Sequence, residues 1–334
     1  MLLLDSLYIN NSGGKILLDY LVQELEKANA SVYYLFDERC SNDYANIPKE
    51  RKEFLKASLF ARHAFYKRNG NNFSKVFCFG NLGPTIKLNV PVYIYFHQRL
   101  FLSQPSNLVF KQKLQFKIKS FLFKTFLKNV DEVWLQTENI KSEFCTTINS
   151  FNKDNVKVLP FFETLNKTEE TMVSNSFIYV SNMGPHKNHL RLIEAFVAAY
   201  DELKVGELVL TISEQTETAR IIDELKQKGY PIRNLGFIER QQLANEYKKA
   251  AFTIYPSLSE SFGLGIIEAI ESGCKVIGAD LPYMYAVCEP SLVFDPFDNN
   301  AIKQAIITAV NTDLKPSKQH VFNKIDIIIN RLKT

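Results

Sequence analysis

The 334-residue chain has no long apolar run. Nothing in it approaches the ~18 continuous apolar residues of a membrane-spanning helix, so no transmembrane segment is expected. Its cysteines are few and scattered: Cys40, Cys78, Cys145, Cys274 and Cys288 are odd in number and form no C-x-x-C pair. That spacing argues against a disulfide framework and a structural zinc site, and a reducing cytoplasm fits it best. There is no G-x-G-x-x-G, so a nicotinamide cofactor is not favoured. His186 and His189 stand three apart without an evident third ligand, so no metal is expected. The start, MLLLDSLYINNSGG, lacks a basic region and an apolar run long enough for a signal peptide. A net charge of +4 is mild, and the basic residues that cluster do so on one helix without a recognised motif. Nucleic acid is therefore not an expected partner.

What is present is alternation. Short apolar runs rich in β-branched and aromatic residues are each followed by a helical stretch. LLLDSLYI, SVYYLF, KVFCFG, VPVYIYFH, NVDEVWLQ and NVKVLPF read as strands of a first half, and KERKEFLKASLFARHAFYKR reads as one of its helices. Residues 163–176, ETLNKTEETMVSNS, are polar without an apolar period and read as a linker. Alternation resumes from FIYVSN. This pattern predicts parallel sheets built from βαβ units. The break predicts two of them: Rossmann-like, doubly wound α/β domains facing a cleft, over 1–162 and 177–315, with 316–334 as a C-terminal helix crossing back to the first domain. Ligands of such sheets bind at the carboxyl ends of the strands.

The stretch PSLSESFGLGIIEAIESG, residues 256–273, follows a strand and leads into a helix. Free N–H groups at a helix start attract anions, and glycine lets a backbone come close, so Gly263 and Gly265 suit a phosphate. Glu260 precedes the helix and Glu268 lies about one turn inside it. A carboxylate accepts hydrogen bonds from paired hydroxyls, as on a ribose, so the spacing suits one ligand carrying phosphates, a ribose and a second polyol. The alternative makes Glu260 a helix cap and Glu268 a solvated face residue.

SLSESFGLGIIEAIESGCKVIGAD resembles the E-x7-E signature of the retaining nucleotide-sugar glycosyltransferases of the GT-B fold, glycosyltransferase family 4. FIYVSNMGPHKNHLRLIEAF resembles that family's strand–loop–helix with a diphosphate-binding lysine, and the likeness covers most of the second half. The resemblance implies roles. Glu268 would hold the ribose hydroxyls, and Glu260 would lie against the donor sugar or its phosphate. Ser261 and the backbone amides of Phe262, Gly263 and Leu264 would contact sugar and phosphate. Lys187 would neutralise the diphosphate, and Gly236, Phe237 and Ile238 would line the base pocket. The family usually has Gly-Arg where this chain has Ser181-Asn182, which removes one cation from the diphosphate. Arg99, in YFHQRLFL, is a candidate to supply that charge from the first domain and to meet the acceptor. No Asp-x-Asp occurs in the chain, which argues against the metal-dependent GT-A glycosyltransferases.

The first half matches the family more loosely. His97 ends the strand VYIYFH and corresponds to a first-domain histidine that contacts the donor sugar; a structural role is the other reading. Gly13 and Gly14 lie between strand and helix, where a glycine turn lets acceptor and phosphate approach. Residues 101–130 hold no acid but six lysines, 111, 113, 117, 119, 124 and 128. Lys113, Lys117, Lys124 and Lys128 fall within roughly 60° of a helix at ~100° per residue. A basic, aromatic-rich helix suits an anionic membrane surface, such as the inner face of the cell membrane; a core helix with a solvated lysine face is the alternative. The resemblance thus implies a metal-independent transferase without cofactor. It would move a sugar from a nucleotide-diphosphate donor to a glycan or lipid-linked glycan in bacterial surface-polysaccharide synthesis. Two other readings remain: a non-catalytic sugar-nucleotide-binding subunit, and a sugar-nucleotide epimerase of the same fold. Base, sugar, acceptor, linkage and oligomeric state are not legible.

Overall fold

The computed structural model describes residues 1–103, 110–166 and 169–333. It divides into two compact units, residues 1–163 joined by the stretch from Phe322 onward, and Thr164–Val321.

The first unit runs β1 (Leu2–Asp5), α1 (Ser12–Lys27), β2 (Val32–Asp37), β3 (Lys52–Leu55), α2 (Leu59–Asn69), β4 (Lys75–Cys78), β5 (Val92–Tyr95), α3 (Phe110–Phe126), β6 (Glu132–Leu135), α4 (Glu138–Thr147) and β7 (Val156–Val158). Its seven strands are parallel in the order β3-β2-β1-β4-β5-β6-β7. The order reverses between β1 and β4, so the loops leaving those two strands flank a switch point. Leu2, Leu3 and Leu4 are all buried, as expected of an inner strand covered on both faces. The core is aromatic: Phe77, Phe79, Tyr95, Trp134 and Phe161 stack through the sheet's centre.

The second unit runs β8 (Val173–Tyr179), α5 (His189–Leu203), β9 (Glu207–Leu210), α6 (Glu217–Gln227), β10 (Ile232–Asn234), α7 (Arg240–Lys249), β11 (Ala250–Tyr255), α8 (Leu264–Glu271), β12 (Lys275–Ala279), α9 (Pro282–Val287), β13 (Cys288–Glu289), β14 (Leu292–Phe294), α10 (Asn299–Asn311) and β15 (Lys318–Gln319). Six parallel strands follow the order β10-β9-β8-β11-β12-β14, with the switch between β8 and β11. Helix starts are set by local chemistry. Thr216 caps α6 through Ala219 N–H at 3.2 Å, and Glu239 with Gln242 forms a capping box on α7.

Three boundaries differ from the sequence reading. The helix expected from Lys49 begins at Leu59; Lys52–Leu55 instead pairs with β2 as an edge strand, with Phe54 stacked on Phe36. An edge strand is half solvated, so its charged residues hid it. The linker expected to reach residue 176 ends earlier, because β8 starts at Val173. Its polar start joins the sheet through Ser176, whose hydroxyl oxygen accepts from Ala251 N–H at 2.9 Å, at an irregularity in the β8–β11 ladder. The C-terminal helix, α11, covers only Ile325–Lys333, while Lys318–Gln319 pairs antiparallel with Cys288–Glu289 in the second unit. Ile325, Ile328, Ile329 and Leu332 bury α11 in the first unit, tied by Lys324 N–H to Pro160 O and by Arg331 to Glu132.

Candidate functional site

In the second unit the loops after β8 and β11 are stitched together. His186 O accepts from Leu258 N–H at 2.7 Å and from the Ser257 hydroxyl at 3.2 Å. Asn188, in the left-handed region, donates to Pro256 O and Pro296 O. Tyr179 OH holds Lys187 O at 3.0 Å. This brings two predicted residues into contact: Lys187 Nζ lies 2.7 Å from Glu260 Oε1, with both side chains largely out of water. Lys187 already neutralises a carboxylate in this structure. Ser181 is buried, its N–H donating to Thr211 Oγ1, and Asn182 beside it is exposed.

Gly263 sits at φ 77°, a conformation that favours glycine. A Cβ there would also meet Ile266 Cδ1 at 3.0 Å. The turn opens α8 with no side-chain cap, so backbone N–H groups present the positive end of the helix beside Ser261 and the buried Phe262. One turn on, Glu268 is buried and accepts from Arg240 at 3.0 Å. Neither the Arg240 partner nor its place at the start of α7 is legible in the sequence. The preceding loop holds Gly236 at φ 63° with Phe237 94% exposed and Ile238 packed inward.

In the first unit Gly13 and Gly14 lie in the first turn of α1 rather than ahead of it. A Cβ on Gly14 would stand 3.6 Å from His97 Nε2, so these two predicted residues share one place. His97 packs on Phe79 and Tyr95, and Asn81 brackets it. Burial pushes the imidazole down to about 4, so it is neutral at physiological pH. Arg99 is ion-paired at 2.7 Å with Glu143 of α4, which occupies its charge within the first unit. Among the described residues no cluster of three or more His, Cys, Asp or Glu could hold a metal.

These two doubly wound units have the GT-B glycosyltransferase fold. Residues 161–324 match the family model described as glycosyl transferases group 1, nearly the span of the second unit. The chain is 28% identical over 207 residues to the O-antigen chain mannosyltransferase RfbU of Salmonella typhimurium, an alignment covering 59% of this chain and 55% of that protein. It thus spans about half the length of that relative. Among solved structures it is similar to a sucrose-phosphate synthase from Thermosynechococcus elongatus, with TM-score 0.69, 18% identity, and 99% and 97% of the two chains covered. It is also similar to Anabaena HepE in complex with UDP and glucose, with TM-score 0.65, 14% identity, and 99% and 95% covered.

Proposed function

We propose that the protein is a retaining glycosyltransferase that moves a sugar from a nucleotide-diphosphate sugar to a glycan or lipid-linked glycan of a bacterial surface polysaccharide. The observation that carries this is the charged cluster at the β8/β11 switch point: Lys187 against Glu260, beside the uncapped start of α8. The match of that whole region to glycosyl transferases group 1 supports it.

The diphosphate would take up the α8 N–H groups and the Lys187 ammonium, whose three donors allow it to keep Glu260 while meeting a phosphate oxygen. Glu268, oriented by Arg240, would accept from the ribose hydroxyls. In the transfer, the bond from the anomeric carbon to the phosphate oxygen breaks and a bond to the acceptor oxygen forms on the same face. The acceptor proton passes to the leaving phosphate. Charge growing on that phosphate is met by a lysine and a helix terminus, the work a divalent cation would otherwise do.

Thermal shift with UDP, GDP and dTDP reads the base, since binding raises Tm by a calculable amount. Mannosyl and glucosyl donors come first, given the names of the relatives. Proton NMR of the product reads the anomeric configuration. A product of inverted configuration overturns retention. Absence of any nucleotide shift overturns the whole reading, and conversion of donor without acceptor identifies an epimerase.

We further propose that the first unit touches the cytoplasmic face of an anionic membrane. In α3, Phe123 is fully buried, while Leu114, Ile118 and Phe121 lie on the opposite face at 50%, 53% and 69% exposure. Lys117 and Lys124 are exposed along its flank, and Lys128 is exposed in the turn that follows it. The side chain of Lys111 lies outside the described residues. Apolar residues bordered by lysines match an interface of lipid tails and acidic head groups. Co-sedimentation with vesicles should depend on anionic lipid and weaken in Ile118→Ser/Phe121→Ser; equal binding to neutral vesicles overturns it.

A further inference from the structure

The loop after β4 is pinned from both sides. Phe79 N–H donates to Asp5 O, and a Cβ on Gly80 would lie 2.1 Å from Leu7 O, so the loop passes against the one leaving β1. The fully buried Arg62 holds Leu82 O and Gly83 O, each at 2.7 Å, while its own charge is met by Asp5 at 2.7 Å. Between these anchors Asn81 adopts φ 64°, a conformation asparagine tolerates better than most residues.

The Asn81 amide contacts His97 twice. Its Oδ1 accepts from His97 N–H at 2.7 Å, and its Nδ2 lies 3.0 Å from His97 Nε2. A backbone N–H can only donate, so the atom facing it must be the amide oxygen. That settles which way the amide is turned, a point otherwise open to assignment. The other atom is therefore the NH2 group, which can only donate. Nε2 must then accept, and the ring proton must sit on Nδ1. His97 Nδ1 is buried and has no hydrogen-bond partner among the described residues. The ring's other neighbours, Phe79 and Tyr95, bring no charge, and burial alone accounts for its low proton affinity.

We propose that Asn81 is a positioning residue that locks His97 as the neutral Nδ1–H tautomer, so that His97 serves its ligand as a fixed hydrogen-bond donor to an oxygen and not as a base at Nε2. The tautomer follows from the first unit alone; the ligand, an oxygen of the donor or acceptor, rests on the glycosyl-transfer reading.

Nitrogen-15 NMR of the full-length protein labelled at histidine decides it, with His97→Gln assigning the signals. The wild type should show a protonated Nδ1 and an unprotonated Nε2 across neutral pH. Asn81→Asp keeps the acceptor for His97 N–H and the tolerance of positive φ, but it sets a carboxylate against Nε2. The proton should then move to Nε2, and the imidazole should titrate at higher pH than in the wild type. With a turned-over donor, kcat/KM of Asn81→Asp should fall about tenfold as pH rises through that new titration, because the neutral ring no longer donates from Nδ1. The wild-type profile should lack this step. A wild-type spectrum with the proton on Nε2, or an unchanged spectrum in Asn81→Asp, overturns the lock. A switched spectrum without the kinetic step overturns the donor role. If no donor is turned over, the glycosyl-transfer reading fails while the spectrum still decides the tautomer.

Discussion

The two candidate clusters use opposite electrostatics. In the second unit, charge stands in pairs, Lys187 with Glu260 and Arg240 with Glu268, each carboxylate largely removed from water. In the first, His97 sits neutral among aromatic rings and one amide. A paired lysine still has donors to offer: under the proposed function Lys187 would keep Glu260 and add a phosphate oxygen. A neutral, pre-oriented cluster offers dipoles and suits an uncharged hydroxyl. Under the proposed function, the charged cluster would supply strength of binding and the neutral one geometry.

The sharpest way to break that contrast is to remove the groups one at a time. Lys187→Ala should lower kcat/KM by about 100- to 1000-fold, the usual cost of losing a group that stabilises developing charge. His97→Ala should cost only about tenfold, one neutral hydrogen bond. Steady-state kinetics with the identified donor decides between them, and a larger loss at His97 would reverse the division of labour.

A second test concerns stability. Arg240→Ala removes the ion-pair partner seen at 3.0 Å from the Glu268 carboxylate, which is 5% exposed, and should destabilise the fold by about 2 kcal/mol. Adding Glu268→Gln should recover much of that loss. Denaturant titration of the single and double variants measures the coupling; simple additivity would show that Arg240 does not serve Glu268.

Glycines should respond with opposite sign in the two units. Gly263→Ala forces a Cβ into φ 77° and to 3.0 Å from Ile266, for a loss of about 1 kcal/mol. Gly14→Ala meets Ile9 and His97 only at 3.6 Å and lies inside a helix, so it should be neutral or gain up to ~1 kcal/mol. Thermal unfolding of both variants would expose any shared sign.

The same contrast explains what the sequence made legible. Inner parallel strands announce themselves as continuous apolar runs, so β1, β4, β5, β8 and β11 were readable; the strand order, and both switch points with it, came from the structure. The edge strand β3 and the polar start of β8 were not, since their pairing is backbone work that leaves no apolar signature. In the site, Glu260 and Glu268 stood out because charge beside a glycine turn is conspicuous, while Lys187 came only from the family resemblance of its strand–loop–helix. Asn81 and Arg240 did not, because each acts on a residue distant in sequence, His97 sixteen positions on and Glu268 twenty-eight. Nothing in a lone asparagine marks it as the partner of an imidazole until the loop that carries it is anchored by Arg62.

The smallest effect is the most discriminating between the units. His189, at the start of α5, is buried against Tyr179. Burial first, and then the Lys187 charge, push it down to about 4, as burial alone does for His97. Both rings are neutral when folded and bind protons more readily when unfolded, so stability is present at neutral pH and is lost as pH falls from ~6.5 towards 4. Between pH 7 and 6 each ring should contribute a loss of about 0.7 kcal/mol. His189→Leu should remove its share of that slope. Lys187→Ala should leave the slope between pH 7 and 6 nearly unchanged, because a ring held near 4 binds almost no proton there in the folded state; loss of that charge shows only below about pH 5, and only at His189. Urea unfolding at the two pH values reads both. A slope unchanged in His189→Leu would mean that His189 is protonated or solvated in the folded protein, and the electrostatic contrast between the units would then rest on the ion pairs alone.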